Sequence, residues 1–500
     1  MPRRERVSDY GQLVDWSTMR RRFVSSLLAG LLVVGSSSLA SAAVVTRRLS
    51  VPAPATDSFG LDALACSTSG NCWGAGIAQN AANQQYPFVV QEVAGSWKSA
   101  IKLTLPVTPV ANMPTSIVNL TCPTTSYCLL TVSYSPSLSA TFGARFEFKN
   151  GAWTAGTKTV IGGPDFQGDF ASSSPATQGA PLSGCWSAGN CVILSYYRSI
   201  QMNWLGFSMV EVNGVWQPAR RLQSPFADTD NNRVGALSCV NGAGCVALGR
   251  YSAESGASQL FAISTTNGTW SEYTDIASPA NTGSDSFTIP GSMSCSDLSH
   301  CVATGIYGSR TSNVAQFFVI QNGETWAQAL AAKLPTGYVQ KNNPDTYRPP
   351  TVSCASDFTC IATSWGYATT SLAVSRPMSV LINKGTLATA TLVQLPSGAV
   401  LDARAPSDVT TASCTGAGHC MTSGSYFDAA RVQYAFVQSQ SAGAWVRAVK
   451  LAQPADAHRL YGGGYFSTQW CFANRTCTLG GTYTDVREAG SSSVVEGVAV

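Results

Sequence analysis

The cysteines of this chain constrain its fold more than any other feature of the sequence. All sixteen belong to pairs of the pattern C-x5-C, and successive pairs begin 54 to 63 residues apart. The pairs are Cys66 with Cys72, Cys122 with Cys128, Cys185 with Cys191, Cys239 with Cys245, Cys295 with Cys301, Cys354 with Cys360, Cys414 with Cys420, and Cys471 with Cys477. An even number with none left over, behind an export signal, predicts eight disulfides. Zinc is the alternative, but zinc sites use tighter spacings and need four converging ligands.

Three further positions repeat with the cysteine pairs. A tryptophan lies 25 residues after the second cysteine in six of the eight units, at Trp97, Trp153, Trp216, Trp270, Trp326 and Trp445. A tyrosine lies six residues after it, at Tyr134, Tyr197, Tyr251, Tyr307, Tyr426 and Tyr483. The residue four after it is small in seven units, which we expect to admit a bulky side chain of the neighbouring unit. We interpret the tryptophans as core between units, and the tyrosines as core or a ligand platform.

Each unit contains four short strands, which we label A to D. In the fourth unit these are residues 235–239, 245–251, 259–264 and a strand beginning at Trp270, with a hairpin turn at Asn267-Gly268. A repeat of this length with four strands predicts an all-β, eight-bladed β-propeller with four-stranded blades and one C-x5-C disulfide per blade. The blades are expected to begin near residues 61, 117, 180, 234, 290, 349, 409 and 466.

The last unit lacks a strand D, and the N-terminal segment supplies a candidate for it. Residues 43–52 resemble strand D of the third unit, because both carry Arg-Arg-Leu and a proline three residues later. We therefore expect residues 43–49 to pair with residues 494–500 and to close the ring at its eighth blade. Such closure removes an open sheet edge.

Residues 1–42 are typical of a signal peptide. Arg20, Arg21 and Arg22 precede an apolar stretch, and Ala40-Ser41-Ala42 is a small-x-small cleavage pattern. We predict cleavage after Ala42, which leaves residues 43–500 as a single domain that is secreted or associated with the cell envelope. An uncleaved membrane anchor is the alternative, although glycines and serines interrupt the stretch.

The composition limits the classes of partner. Charged residues make up 12% of the chain and the net charge is +4, with no long basic run beyond the N-terminus. No nucleic-acid partner is therefore indicated. We expect a monomer without a membrane span after cleavage, whose partner is a glycan, another cell-envelope component or an extracellular protein.

The strand order sorts the loops onto two faces. The disulfide loops and the C–D turns share one side, the stapled face, while the D–A and B–C loops share the other, the long-loop face. Long loops on a rigid scaffold are where binding residues concentrate. Candidate ligand-binding residues there are Arg233, Tyr347, Arg348, Arg404 and Arg459, and the B–C loops add Arg198, Arg250, Arg310, Arg376, Arg431 and Arg487. For any one of these residues, solvated loop charge is the alternative.

Catalytic and metal motifs are weak. Asp228-x-Asp230-x-Asn232 has the alternating oxygen ligands of a calcium loop, but Arg233 replaces the glycine of an EF-hand. Weak catalytic candidates are Asp345, Asp402, Asp408, His458 and Tyr461. His300 and His419 lie in C-x5-C loops, where we expect polar turn residues. We predict no cofactor, with calcium as the alternative. The sequence leaves open the use of three glycosylation sequons, at Asn119, Asn267 and Asn474.

The repeated Ser-Cys-x5-Cys-x-Ala-x-Gly-x-Tyr, as in residues 238–251 and 294–307, resembles secreted bacterial β-propeller repeats of mostly unassigned function. Gly323-Glu324-Thr325-Trp326 is distantly similar to the end of the Asp-box of sialidase-like and kelch-type propellers, but Gln321 replaces its aspartate. The chain has no Phe/Tyr-Arg-Ile-Pro segment, which sialidases carry, and no tryptophan-docking repeat of quinoprotein propellers. The resemblance implies a fold and no particular reaction.

These observations lead to three hypotheses. The first is a secreted, non-catalytic binding or adhesion module that recognises a glycan or anionic ligand on the long-loop face. The second is a hydrolase or lyase acting on acidic polysaccharide, which would need two suitably separated carboxylates. The third is an extracellular protein-interaction scaffold, which would show an exposed apolar patch.

Overall fold

The fold is described from a computed structural model of the chain. It describes residues 45–49, 55–137, 140–159, 166–170, 182–199, 204–222, 232–253, 257–279, 286–309, 314–340, 349–401, 407–441, 443–453, 465–472, 476–484 and 490–499. Contacts divide the chain into Met1–Ala43 and Val44–Val500. The predicted signal peptide and its cleavage site lie outside the described residues, so the following description concerns the second part.

All regular elements of the described residues are β-strands. The N-terminal strand and unit one contain β1 (Val45–Arg48), β2 (Ala55–Thr68), β3 (Asn71–Asn80), β4 (Gln85–Val93), β5 (Ser96–Trp97) and β6 (Ile101–Lys102). Units two and three contain β7 (Thr115–Thr124), β8 (Tyr127–Ser137), β9 (Ala140–Lys149), β10 (Ala152–Trp153), β11 (Thr157–Lys158), β12 (Phe166–Phe170), β13 (Leu182–Ser187), β14 (Asn190–Ser199), β15 (Trp204–Val212), β16 (Val215–Trp216) and β17 (Arg220–Arg221).

The remaining units continue the pattern. Units four and five contain β18 (Arg233–Val240), β19 (Gly244–Ser252), β20 (Ser258–Thr265), β21 (Thr274–Ile276), β22 (Ser286–Asp297), β23 (His300–Ser309), β24 (Ala315–Asn322), β25 (Thr325–Trp326) and β26 (Leu330–Ala331). Unit six contains β27 (Tyr338–Val339), β28 (Val352–Cys354), β29 (Thr359–Ala368), β30 (Ser371–Asn383), β31 (Thr386–Leu387) and β32 (Thr391–Leu392). Units seven and eight contain β33 (Ala399–Val400), β34 (Asp408–Gly416), β35 (His419–Asp428), β36 (Gln433–Ser441), β37 (Ala444–Trp445), β38 (Val449–Lys450), β39 (Tyr465–Cys471), β40 (Thr476–Thr484) and β41 (Gly490–Ala499).

The described strands form seven blades, and the prediction of eight is wrong. The sheet topology contains seven separate sheets, one of which has eleven strands. That sheet arises because β12, in the connection between units two and three, pairs with both β14 and β9. Phe170 is the joining residue, since it lies opposite Tyr197 on one side and Thr141 on the other. Units two and three therefore share one blade, whereas each other unit forms its own.

The N-terminal strand belongs to the sheet of the last unit. β1 pairs antiparallel with β41, with Val45 opposite Glu496 and Arg48 opposite Ser493. The sheet order is β1-β41-β40-β39, so the two ends of the described chain complete a four-stranded blade. This blade also contacts the first, because the Ser467 hydroxyl donates a hydrogen bond to the Leu61 carbonyl. The backbone pairing removes an edge of β41 that would otherwise be open.

All eight C-x5-C pairs form disulfides, as predicted, and the described chain has no free cysteine. The bonds are Cys66–Cys72, Cys122–Cys128, Cys185–Cys191, Cys239–Cys245, Cys295–Cys301, Cys354–Cys360, Cys414–Cys420 and Cys471–Cys477. Each disulfide joins strands A and B of one unit. The prediction of one disulfide per blade holds except in the eleven-stranded blade, which carries two because it contains two units.

The serine that precedes the first cysteine of a pair links neighbouring units. Ser238 Oγ accepts a hydrogen bond from the Cys295 amide at 3.0 Å, and Ser294 Oγ accepts one from the Cys354 amide at 2.9 Å. The disulfide thus acts within a unit, whereas the serine beside it acts between units. The Ser-Cys part of the repeat therefore connects inner strands of successive units.

The small residue after the second cysteine packs differently from the expectation. Gly249 lies opposite Phe261 on strand C of its own unit, and a Cβ at Gly249 would come within 2.3 Å of that ring. Gly305 has the same relation to Phe317, at 2.5 Å. The expectation that the bulky partner comes from the neighbouring unit is therefore wrong at these positions. The glycine makes room for an aromatic ring within its own blade.

The repeated aromatic residues are mainly core. Trp153, Trp216 and Trp326 pack against hydrophobic clusters that join two units, as predicted. The recurring tyrosines whose side chains are described are 0–5% exposed; they are Tyr134, Tyr251, Tyr307, Tyr426 and Tyr483. Such burial favours packing over a ligand platform for this series.

Candidate functional site

Most of the site residues named from the sequence lie outside the described residues. These are Asp228, Asp230, Asp345, Tyr347, Arg348, Asp402, Arg404, His458, Arg459 and Tyr461. Their assignments stay predictions. Asn232, Arg233 and Asp408 are described, and each lies at or next to the start of a strand A on the long-loop face.

Arg233 and Arg250 form a pair of cations at the long-loop end of unit four. They lie directly opposite each other on β18 and β19. The Arg250 guanidinium donates a hydrogen bond to the Thr288 carbonyl at 2.8 Å, and the Arg233 guanidinium lies 5.1 Å from the centre of the Tyr196 ring. Burial, together with the charge of Arg233, lowers the pKa of Arg250 to about 10. The pair therefore joins units three, four and five at this face.

Asn232 adds a buried carbonyl oxygen beside this pair. Its side chain is 2% exposed, and its Oδ1 has no hydrogen-bond partner among the described residues. Asp228 and Asp230, the other members of the predicted calcium loop, are outside the described part. Within the described residues no group of three His, Cys, Asp or Glu side chains could hold a metal ion. The calcium site remains a prediction.

A cavity of about 270 Å³ lies where the inner strands of units six, seven and eight begin. We call it the inner cavity. Its lining is Pro349, Pro350, Thr351, Thr363, Ser364, Trp365, Asp408, Val409, Thr410, Phe466 and Ser467. In the sequence, Pro349, Asp408 and Phe466 lie within two residues of segments 341–348, 402–406 and 454–464, which carry most of the predicted candidates. Asp408 is the candidate that the described structure places in this cavity.

The inner cavity has a rigid hydroxyl-rich wall. The Thr351 amide donates to Thr363 Oγ1 at 2.8 Å, and Ser364 Oγ donates to Gln316 Oε1 at 2.6 Å. Thr410 Oγ1 donates to the Phe466 carbonyl at 2.6 Å, which ties unit seven to unit eight. These bonds hold the wall in place, so a ligand would meet groups that are already ordered.

Trp365 lines the cavity together with the buried Phe466, and the sequence analysis did not name it as a candidate. It is half-buried, packs edge-on against Tyr367 at 6.0 Å, and its indole N–H has no acceptor among the described residues. It lies five residues after the second cysteine, where Tyr196 and Arg250 lie in units three and four. The residue type at this position changes from unit to unit while the neighbouring positions repeat. That variation is the sequence signal that could have identified Trp365, Tyr196 and Arg250 together.

Asp62 is a charged residue on the inner strand of unit one. It lies four residues before the first cysteine, the position that Thr410 and Ser467 occupy in the wall of the inner cavity. Its side chain is exposed, yet burial raises its pKa to about 6. Accessibility to water combined with a desolvated carboxylate fits a side chain that faces a narrow space enclosed by protein.

A second group of charges lies between units two and three, away from the long-loop face, with Glu147 buried and Lys149 exposed. Glu147 Oε1 accepts a hydrogen bond from the Trp216 indole N–H at 2.8 Å, and Glu147 Oε2 contacts Lys149 Nζ at 2.6 Å. Arg145 lies 3.8 Å from the same carboxylate and 4.8 Å from the Trp216 ring. This cluster fills the groove between the two units with the chain's own side chains.

Glu211 lies beside this cluster and is fully buried. Its Oε2 accepts a hydrogen bond from the Tyr127 hydroxyl at 2.6 Å. Burial raises the pKa of Glu211, and the negative charge of Glu147 raises it further, although the Tyr127 hydrogen bond acts in the opposite direction. Because Glu147 and Glu211 each accept a hydrogen bond from an aromatic side chain of the protein itself, the cluster has a structural rather than a substrate-binding arrangement.

The two histidines of the disulfide loops, His300 and His419, lie at the starts of β23 and β35, next to the second cysteine of each loop. His300 Nδ1 lies 2.9 Å from both carboxylate oxygens of Asp297, three residues earlier in the same loop. His419 also belongs to a disulfide loop, at the start of β35. Among the described residues, no helix is long and apolar enough to cross a membrane.

Comparisons with known proteins give weak matches. No protein-family model and no curated protein sequence matches the chain. A polysaccharide lyase described as a PL25 ulvan lyase is 10% identical, covering 81% of this chain and 98% of its own, with a TM-score of 0.41. An α-L-arabinanase from Penicillium chrysogenum is also 10% identical, covering 74% and 90%, with a TM-score of 0.35. A post-proline cleaving enzyme from Rickettsia typhi is 7% identical, covering 86% and 58%, with a TM-score of 0.44.

Two of these three proteins are named for activity on glycans, and the third is named for peptide cleavage. Identities of 10% or less and TM-scores below 0.5 do not transfer an activity to this chain. The assignment of the chain as a disulfide-stapled propeller therefore rests on its own strand pairing and cysteine bridges.

Proposed function

We propose that this protein is an exported, non-catalytic glycan-binding module that recognises its ligand at the inner cavity of the long-loop face. The observation that carries the proposal is the meeting of Trp365, Asp408 and several hydroxyl groups in one cavity. The eight disulfides support export, because such bonds persist in oxidising compartments.

The chemistry of the cavity suits a sugar ring. An aromatic ring offers an apolar surface for the C–H groups of a sugar, while the Asp408 carboxylate accepts hydrogen bonds from its hydroxyls. The volume of about 270 Å³ is just below the range of roughly 300–1,000 Å³ that is usual for small-molecule pockets. A single sugar unit, such as the end of a chain, fits this size better than a long segment.

The test is a glycan array followed by calorimetry on the mature protein. Trp365→Ala removes the ring and Asp408→Asn removes the charge, and we expect each to weaken binding of the array hit at least tenfold. Trp470→Ala is the matched control, because Trp470 is 41% exposed and lies next to a disulfide rather than in the cavity. Unchanged binding by both cavity variants, or no glycan bound by the wild type, would refute the proposal.

A further variant tests the residues that were predicted from the sequence alone. Arg348→Ala combined with Arg404→Ala removes two predicted ligand-binding cations from the segments that precede the cavity residues. We expect weaker binding if the ligand is anionic. Release of shortened products from an acidic polysaccharide in the same assays would instead establish the enzymatic alternative.

A further inference from the structure

One register position of strand D carries a cation in several units. In unit one it is Lys102, which lies opposite Phe88 on strand C, and Phe88 in turn lies opposite Gly76, the fourth residue after the second cysteine. The same two pairings place a cation at this position in units two, three and seven, where the residues are Lys158, Arg221 and Lys450. The position is therefore defined by strand pairing and not only by spacing in the sequence.

The N-terminal strand supplies the same position for the last unit. Arg48 lies opposite Ser493, and Ser493 lies opposite Gly481, which is again the fourth residue after the second cysteine. Since β1 takes the place of strand D in that unit, its backbone continues the series across the point where the ring closes.

The five units that carry these cations are consecutive in the ring. Hydrogen bonds join unit seven to unit eight at Thr410, unit eight to unit one at Ser467, and unit two to unit three at Tyr127. Units one and two share the hydrophobic cluster that contains Trp73. Equal register positions of repeated units lie at equal heights on the outer edge of a propeller. We call this row the cationic belt; in ring order it consists of Lys450, Arg48, Lys102, Lys158 and Arg221.

Charge is segregated along the outer edge of the propeller. The outer segments of the belt units, residues 444–450, 45–48, 96–102, 152–158 and 215–221, contain no aspartate or glutamate. Further cations of these segments are Arg47, Lys98, Arg220 and Arg447. At the belt position, units four, five and six instead have Asp275, Ala331 and Leu392. Because the net charge of the chain is only +4, this positive side results from the grouping of cations and not from their abundance.

Stacking on a ring of the same blade does not by itself explain the belt. The ammonium groups of three belt lysines lie 3.2–4.4 Å from the centres of such rings, in the pairs Lys102–Tyr86, Lys158–Phe142 and Lys450–Tyr434. The corresponding residue is Leu205 in unit three and Ser491 in the last unit, yet both of these units keep a cation. The positive charge is therefore the feature that the five units share.

The belt lysines are accessible, and their positions are restricted. The side chains of Lys102 and Lys450 are exposed, and that of Lys158 is half-buried. A ring beneath an ammonium group limits its movement without neutralising its charge. An anionic ligand would therefore meet cations that are already ordered, which lowers the entropy lost on binding.

We infer that the cationic belt is a binding surface for an acidic polysaccharide chain, which follows the outer edge of the propeller across several units. Successive belt positions are rotated about the propeller axis, so a flat anionic membrane would touch only part of the row, whereas a flexible chain can follow it. The three stacked rings are covered by lysines and so do not offer a platform for the bases of a single-stranded nucleic acid. The belt contains no residue of the inner cavity, so this inference goes beyond the function proposed above.

The experiment is calorimetry of the disulfide-bonded protein with long polygalacturonate chains and with trigalacturonate, compared at equal concentrations of sugar units. We expect the long chains to bind about tenfold more tightly, because one chain reaches the cations of several units. Raising the salt concentration should weaken this binding, since salt screens charges that are exposed to solvent.

Neutralising two exposed belt lysines tests the residues themselves. Lys102→Gln combined with Lys450→Gln is expected to weaken binding of long polygalacturonate about tenfold. Lys333→Gln combined with Lys384→Gln is the matched control, because it removes the same charge from exposed side chains of units five and six, outside the belt. We expect the control to bind within about twofold of the wild type. Circular dichroism checks that both variants keep the fold, as exposed substitutions should.

The inference fails if the wild type does not bind polygalacturonate, if trigalacturonate binds as tightly as the long chains, or if the control variant loses as much affinity as the belt variant. Tighter binding of single-stranded DNA or of phosphatidylglycerol vesicles that depends on Lys102 and Lys450 would replace the polysaccharide with that partner. Trp365→Ala separates the belt from the inner cavity, because the belt requires that this variant still binds long polygalacturonate. Loss of binding in Trp365→Ala but not in the lysine variant would instead assign the ligand to the inner cavity.

Discussion

The groove between units two and three and the cavity between units three and four are built from the same strands, but they differ in content. In the first, which we call the filled groove, Arg145, Glu147 and Lys149 occupy the space, and Glu147 accepts a hydrogen bond from the Trp216 indole N–H. In the second, which we call the outer groove, shorter side chains leave about 680 Å³ open, and the Trp270 indole N–H has no acceptor among the described residues. The residues that line the outer groove at the positions of the three charged side chains are Ser208, Val210 and Val212. A repeated scaffold thus changes a structural contact into a surface groove by changing three residues.

The largest effect that tests this comparison is expected from Glu147→Ala. The change leaves Arg145 and the Trp216 N–H without their carboxylate in a largely buried place, so unfolding free energy should fall by about 3 kcal/mol. Denaturant titration measures it. Glu272→Ala in the outer groove is the control, and its exposed carboxylate should cost no more than about 0.5 kcal/mol. Equal effects would show that the filled groove gains nothing from its charges.

Removing the indole donors in turn gives a smaller, matched difference. Trp216→Phe leaves Glu147 Oε1 without its indole donor, whereas Trp270→Phe removes a donor that has no acceptor among the described residues. We expect Trp216→Phe to destabilise the protein by about 1.5 kcal/mol more than Trp270→Phe. Thermal unfolding of both variants checks this. The comparison would break if Trp270→Phe were the more harmful of the two.

The raised pKa of Glu211, which lies beside the filled groove, makes the free energy of unfolding depend on pH. Its folded-state pKa is raised by burial, so between its usual value near 4.5 and that raised value the folded state holds the extra proton and stability falls as pH rises. Glu211→Gln keeps an acceptor for the Tyr127 hydroxyl and removes the buried charge. We expect it to stabilise the protein by about 1 kcal/mol at pH 7. The gain should shrink below pH 4.5, where wild-type Glu211 is protonated in both states.

The smallest effect concerns the cations of strand D. Lys158 lies 3.4 Å from the centre of the Phe142 ring, and Lys158→Gln should cost about 0.5 kcal/mol through loss of that contact. Urea unfolding at low and high salt measures it. A loss much above that value would mean that Lys158 has a role beyond its contact with the Phe142 ring.

The features that follow from short-range spacing were predictable. Cysteines six residues apart in the sequence sit opposite each other at the end of a hairpin, so the disulfides, such as Cys239–Cys245, followed from the spacing. The turn predicted at Asn267-Gly268 has the left-handed backbone at its glycine alone, with φ of 91°, whereas the same dipeptide at Asn150-Gly151 and Asn213-Gly214 has it at both residues. The tryptophans were placed in the core for similar reasons.

The blade count and the sites depend on pairings that no local pattern specifies. β12 has no counterpart in the other described units, and its pairing with both β9 and β14 unites two units that the cysteine count separates. The inner cavity brings together Trp365 and Asp408 from different units, and the filled groove joins Glu147 to Trp216 across 69 positions of sequence. Such contacts are determined by how blades stack, which sequence spacing does not reveal.

The pairing of β1 with β41 has a consequence for the order in which the protein is made. Among the described strands, β1 leaves the ribosome first and its partner β41 leaves it last, since Val45 pairs with Glu496. The blades of the earlier units can fold before β41 has been made, but the pairing of β1 with β41 cannot form until then. A chain that stops before residue 490 would leave both β1 and β40 without the strand that lies between them. A chain without β41 therefore exposes unpaired strand edges on both β1 and β40, and such edges can pair with other chains and aggregate.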